Sequence, residues 1–232
     1  MTDHFEEIYA TRAAEYHRMI AVEDVDGNLL PALERIAPLA GKKVLDLGSG
    51  SGRVPLLVAG RAAQVLALDL SRAMLREQKA QRDRVGGNWD LVQADMRWLP
   101  VPDRWAEVVI AGWAIGHLRG WFAADWKQQI GYVLEEMHRA VASGGAMIIL
   151  ETMTTGNLMP APPTKELAEY YQWIEEYWGF SREVIQTDYQ FSNVEEAVAY
   201  TEFFFGSELA AAIRQHGWAR LPEWTGVWGK VV

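Results

Sequence analysis

Three aspartates stand at or near the ends of apolar runs, and a glycine turn follows the first. Asp46 lies inside Val44-Leu45-Asp46-Leu47, Asp69 near the end of QVLALDL, and Asp95 just after residues 89–93. The turn reads Gly48-Ser49-Gly50-Ser51-Gly52-Arg53. A buried strand, a turn bare of side chains at alternate positions and a helix start together make a place for a nucleotide-like ligand. The spacing narrows the ligand. A dinucleotide site of the G-x-G-x-x-G kind needs glycine at position 53, where this chain has Arg53. The phosphate loop G-x-x-x-x-G-K-[ST] is absent. Asp46 would repel a pyrophosphate and suits a cationic amine. Asp69 falls roughly 20 residues past the glycines, where a carboxylate accepts from both ribose hydroxyls. Asp95 is placed to accept from the exocyclic amine of adenine, with Met96 offering an N–H and a soft side chain to the ring.

The elements that position these residues alternate. Strands are expected at residues 43–47, 64–70, 89–93, 105–113 and 146–151. Helices are expected at 53–61, 72–84 and 121–142, with Ser71 as a cap. This rhythm predicts a parallel sheet covered on both faces. One amphipathic helix is expected at 3–20 and another at 29–39. After Glu151 the rhythm breaks. An aromatic-rich helix is expected at 164–178, a strand at 183–191, one or two helices at 193–215 with Gly206 as the interruption, and a last strand at 223–232. No repeat or domain boundary is visible, so 1–232 reads as one domain. Within it, 1–40 is a helical cap, 41–152 the cofactor-binding core, and 153–232 a substrate-side insertion with the C-terminal strands.

Composition removes several function classes. The 232 residues are half hydrophobic, enough for one sizeable core. A net charge of −9 argues against a surface built to neutralise phosphates, so no nucleic-acid partner is expected. There is no cysteine, which excludes disulfides and thiolate sites. The histidines follow no metal-ligand spacing, and no metal is expected. A charged N-terminus without a signal-peptide core, and no apolar run near the ~20 residues that span a bilayer, predict a soluble cytoplasmic protein. Eleven tryptophans suit both a core and an apolar ligand pocket.

VLDLGSGSGR, LALDLS, QADMRWLP and LEEMHRAVASGGAMIILE together resemble, in order, the motifs of class I S-adenosylmethionine-dependent methyltransferases. The set is similar to the methyltransferase type 11-like branch acting on small molecules. The resemblance covers about residues 26–151. It implies a Rossmann-like α/β fold: a seven-stranded, mostly parallel sheet with the last strand antiparallel and helices on both faces. It implies S-adenosyl-L-methionine as cofactor, with S-adenosyl-L-homocysteine as product. It places Asp46, Gly48, Ser49, Gly50, Gly52 and Arg53 at the methionine part, and Asp69, flanked by Leu70 and Met74, at the ribose. Asp95 and Met96 hold the adenine, and residues 113–117, with Trp113 and His117, run beneath the sulfonium.

Such chemistry needs a placed nucleophile and excluded water, and a proton acceptor is optional. His117 is the candidate base, since its pKa lies near neutrality; the alternative is that it bonds the loop or cofactor. Tyr9 and Tyr16 share a helical face and are expected either to close over the site or to dock their helix. Glu151 and Arg182 are further substrate-side candidates. The expected activity is methyl transfer to a small molecule. An RNA or protein methyltransferase and a non-catalytic cofactor-binding module are the alternatives.

Overall fold

The structure, a computed structural model, describes residues 4–232. Two helices, α1 (His4–Thr11) and α2 (Ala13–Ile20), precede α3 (Leu29–Ile36). Strands and helices then alternate through β1 (Lys43–Leu47), α4 (Arg53–Val58), β2 (Gln64–Asp69), α5 (Arg72–Val85), β3 (Asp90–Gln93), β4 (Ala106–Gly112), α6 (Gly116–Trp121), α7 (Trp126–Ala140) and β5 (Val141–Thr155). The rest is α8 (Lys165–Glu176), β6 (Ser181–Gln186), β7 (Tyr189–Gln190), α9 (Val194–Phe205), α10 (Ser207–His216), β8 (Arg220–Leu221) and β9 (Glu223–Val231).

One seven-stranded sheet runs β3-β2-β1-β4-β5-β9-β6. The first five strands are parallel, and β9 enters antiparallel between β5 and β6. This is the expected α/β sheet with its last strand reversed. The alternation of side chains along each strand sorts the core into two layers. Leu45, Leu47, Val109, Met147 and Ile149 pack with α7 and α8. Val44, Val108, Ile110, Ile148 and Leu150 pack with α3 and α4. A third, smaller cluster joins Met19 and Ile20 of α2 to Tyr189, Phe191, Val198, Ala210 and Leu221, seating α2 on the C-terminal helices. Among the described residues no helix is long and apolar enough to cross a membrane.

Several elements differ from the pattern, among them the separate helix α6 and the start of β5 at Val141, inside the helix expected at 121–142. The expected helix at 3–20 divides at Arg12, which leaves helical geometry (φ −125°, ψ 29°) and lays its guanidinium 4.2 Å from the centre of the Phe203 ring; residue 3 lies outside the described residues. Strand β5 continues past residue 151 because β9 pairs with it as far as Thr155–Glu223. The expected strand at 183–191 splits, since β6 joins the main sheet and β7 pairs with β8. These differences come from distant partners that no local window contains.

Candidate active site

The carboxyl ends of β1, β2 and β4 bring the glycine turn, Asp46, Asp69, Trp113 and His117 to one cavity of about 1390 Å³, which Asp95 and Met96 also line. The three glycines do different work. A Cβ on Gly48 would fall 2.4 Å from the Ala114 Cβ, so this glycine lets the turn pack on the loop after β4. A Cβ on Gly50 would meet nothing within 4 Å, and Gly50 lines the cavity. Gly52 is not among the residues that line the cavity, and a Cβ on it would lie 2.7 Å from Gln78 Cγ. Its bareness serves the packing of α5. Ser49 is held from the same side, its Oγ 2.8 Å from the Gln78 amide.

Asp69 clasps the turn. Gly50 N–H donates to its Oδ2 at 2.8 Å and Ser71 N–H to its Oδ1 at 2.7 Å. Burial pushes this carboxyl up, and the backbone donors partly offset that. Leu70 and Met74 flank it on the cavity wall, Leu70 exposed and Met74 buried. Asp95 is bound by Arg97, whose Nη2 donates to Oδ2 at 2.7 Å and whose backbone N–H donates to Oδ1 at 2.9 Å. That side chain holds the Asp95 carboxyl below its ordinary value.

Asp46 is 1% exposed, and among the described residues neither carboxylate oxygen has a hydrogen-bond partner. Burial, and then the nearby Asp69, push it well above the usual carboxylate range. An orphaned acid on the wall of a cavity fits a ligand that brings an amine, as the methionine part of S-adenosylmethionine does. Replacing it by Asn should separate stability from binding. With its folded pKa raised, Asp46 contributes stability below the ordinary value of 3.8 and loses it as pH rises. Asp46→Asn is therefore expected to raise the melting temperature of the ligand-free protein at pH 7. In calorimetry, S-adenosylhomocysteine should bind the variant more weakly by about 1–3 kcal/mol.

Arg53 and Trp113 form the wall between this cavity and a second one of about 850 Å³, and line both. The Arg53 guanidinium lies 3.9 Å from the centre of the Trp113 ring, and its Nη1 pairs with Glu23 Oε2 at 2.6 Å. Burial opposes both charges of the pair. At Arg53 burial is the largest single influence, but Glu23, Tyr189 and Tyr16 together outweigh it and the pKa rises; at Glu23 burial prevails over Arg53 and the pKa also rises. Trp113 has φ +51°, a strained value for a bulky residue, held by its N–H on Leu150 O at 2.6 Å. Tyr9 and Tyr16 reach both cavities, and the Tyr9 hydroxyl sits 2.9 Å from His117 Nε2. The helix break at Arg12 falls between the two tyrosines. Ser71 Oγ donates to Tyr9 O at 3.1 Å, so α1 is fastened across the cofactor-side cavity.

Of the substrate-side candidates, Tyr9, Tyr16 and Glu151 line the second cavity. Arg182 is not brought there. It sits on the strand β6 at the sheet edge, pairs with Glu175 at 3.3 Å and lies over the Trp228 ring, because the pairing of β6 with β9 turns it to α8. The sequence had no signal for Glu23, 30 residues from the arginine it pairs with. Phe204 carries no polar group that a sequence motif could single out. It contacts Phe5 and Tyr16 and forms part of the second cavity.

A sheet of this order with a glycine turn and strand-end carboxylates at its carboxyl edge defines a class I methyltransferase fold. Residues 45–149 match the family model described as a methyltransferase domain, and over that stretch the chain is similar to the methyltransferases of that family. Malonyl-[acyl-carrier protein] O-methyltransferase of Legionella pneumophila is 28% identical over 60% of this chain and 46% of its own length. Demethylmenaquinone methyltransferase of Thermus thermophilus is 29% identical over 53% and 50%. The chain thus spans about half the length of these relatives. A SAM-dependent methyltransferase from Aquifex aeolicus superposes with a TM-score of 0.59 at 15% identity, covering 100% of both chains. Phospholethanolamine N-methyltransferase 2 of Haemonchus contortus, in complex with S-adenosylhomocysteine, gives 0.63 at 16% identity over 100% of this chain and 60% of that one. These two likenesses show the shared fold.

Proposed function

We propose that the protein transfers a methyl group from S-adenosylmethionine to a small-molecule acceptor. The observation that carries this reading is the pair of adjoining cavities, with Trp113, Arg53, Tyr9, Tyr16 and His117 lining both. The first suits the cofactor and the second gives an acceptor a place beyond it. The bound cofactor supplies a methyl group already made electrophilic by its sulfonium. The chain's own residues bind and orient. Asp46 receives the amine, and the backbone of Gly48, Ser49 and Gly50 lets the methionine part lie close. Asp69 accepts from the ribose, Asp95 and Met96 hold the adenine, and Tyr9 with His117 closes α1 over the site and excludes water. The names of the two relatives, for a malonyl carrier and for a demethylmenaquinone, accord with an acceptor in the small-molecule class. The acidic balance, 31 acidic against 22 basic residues, disfavours a nucleic acid as acceptor.

Calorimetry with S-adenosylmethionine and S-adenosylhomocysteine tests the reading: a folded sample that binds neither at high micromolar concentration overturns it. Asp95→Ala is expected to weaken S-adenosylhomocysteine binding by about 1–3 kcal/mol, the scale of one lost charged hydrogen bond. Unchanged affinity in the same titration would move the adenine elsewhere.

A further inference from the structure

The second cavity carries an acid that binding of the cofactor leaves unused. Glu151 follows Ile149 by two residues on β5, so strand alternation turns its side chain to the layer of α6 and α8. It is 6% exposed and lines the cavity. Gly116 N–H donates to its Oε1 at 2.8 Å, and the buried Tyr170 hydroxyl lies 3.5 Å from the same atom. A Cβ on residue 116 would stand 2.9 Å from Oε2, so a glycine is required for the carboxyl to be there.

Among the described residues no cation pairs with Glu151. The charged groups that share its cavity are Arg53, Arg119, Glu23, Glu166 and Glu208. Arg53 is committed to Glu23, and Arg119 bonds Glu169 at 2.8 Å. His117 is met by Tyr9, and the Tyr171 hydroxyl donates to Thr152 O. A core that only needed to tie α6 to α8 would be served by glutamine, whose carbonyl accepts both bonds at no cost in buried charge.

We propose that Glu151 takes the proton from the acceptor, and that the acceptor is a neutral aromatic hydroxyl compound of the phenol class. The inference rests on the methyl-transfer reading above. In the step, the acceptor oxygen bonds the methyl carbon as the carbon–sulfur bond breaks, and that bond's electron pair stays on sulfur. The hydroxyl proton passes to the Glu151 carboxylate. One cation and one carboxylate become a neutral thioether and a neutral acid, so charge and atoms balance. Aromatic walls from Phe5, Tyr16, Trp121 and Phe204 favour a flat ring. A carboxyl matches a hydroxyl, which both donates and accepts, better than an ammonium, which only donates. A carboxylate acceptor would have no proton to give. Burial pushes Glu151 up to about 8, outweighing its bonds to Gly116 and Tyr170, which places a proton acceptor near working pH.

The test uses the full chain saturated with S-adenosylhomocysteine, wild type and Glu151→Gln, whose own binding of that product by calorimetry is expected to be equal. 2-Naphthol, 2-methoxynaphthalene and 2-naphthoate are then titrated against tryptophan fluorescence between pH 6 and 8.5. The wild type is expected to prefer 2-naphthol at least tenfold over both others, with the preference growing as pH rises toward 8.5. In Glu151→Gln the preference should vanish at every pH. If S-adenosylhomocysteine binds but 2-naphthol is not preferred in the wild type, or the variant keeps the preference, the inference falls and the methyl-transfer reading stands. Failure of S-adenosylhomocysteine to bind the wild type sinks the underlying reading instead. The wild-type series decides the acceptor class even where the variant folds poorly.

Discussion

Gly50→Val is expected to abolish S-adenosylhomocysteine binding, by a hundredfold or more in calorimetry, in a protein that still folds. Gly50 has φ +53°, so a branched side chain there carries a strain of roughly 1–2 kcal/mol. That cost is tolerable because the new Cβ meets nothing within 4 Å. The side chain instead enters the cavity beside the Asp69 carboxylate, which the backbone N–H of residue 50 still reaches at 2.8 Å. Gly48→Val is the contrast. Its Cβ would start 2.4 Å from that of Ala114, so the expected loss is in melting temperature as well as in binding. Binding by Gly50→Val within threefold of wild type would place the cofactor elsewhere.

Glu151→Gln should make the protein more stable in mild alkali. The folded state holds the Glu151 carboxyl at about 8, because burial disfavours its charge, against an ordinary value of 4.5. Below that ordinary value both states are protonated and the group's contribution is fully present. As pH rises toward 8 the unfolded chain ionises while the folded chain does not, and stability is lost. At about 1.4 kcal/mol per pH unit, the interval corresponds to on the order of 5 kcal/mol. Glutamine cannot ionise and keeps an acceptor for Gly116 N–H and the Tyr170 hydroxyl. Urea unfolding at pH 5 and pH 8 checks this: the gap in favour of the variant should open with pH. Part of the wild-type slope will survive in the variant, since burial raises Asp46 and Glu223 in the same direction. Parallel wild-type and variant curves would show that Glu151 is solvated. A residue whose loss stabilises the fold while removing a binding preference is the expected signature of a functional group held at a structural cost.

The residues that converge on the first cavity were legible in the chain because their constraints are local. The turn at 48–52 needs bare positions within five residues, and Asp46, Asp69 and Asp95 are tied to strand ends that hydrophobic runs announce. The parallel sheet was legible for the same reason, each strand carrying its own apolar pattern through to β5. Beyond Glu151 the information thins. The extension of β5 depends on β9, and the split of the region after residue 183 depends on β8 and β9. Gly52 shows the limit even within a motif: its spacing is visible, but its packing against Gln78 is set by α5.

The second cavity was assembled by folding, through pairings that no window of sequence contains. Glu23 finds Arg53, Tyr9 finds His117 across 108 positions, and Phe204 meets Phe5. Arg182, chemically as apt as Arg53, goes to the outside because β6 is an edge strand facing α8. Glu151 reads in sequence as a strand-end acid among the substrate-side candidates, and becomes a buried acid only when Gly116 and Tyr170 enclose it. Residue type and spacing state which groups can do chemistry. Burial and countercharge, which set the charge a group carries, exist only once distant elements have packed.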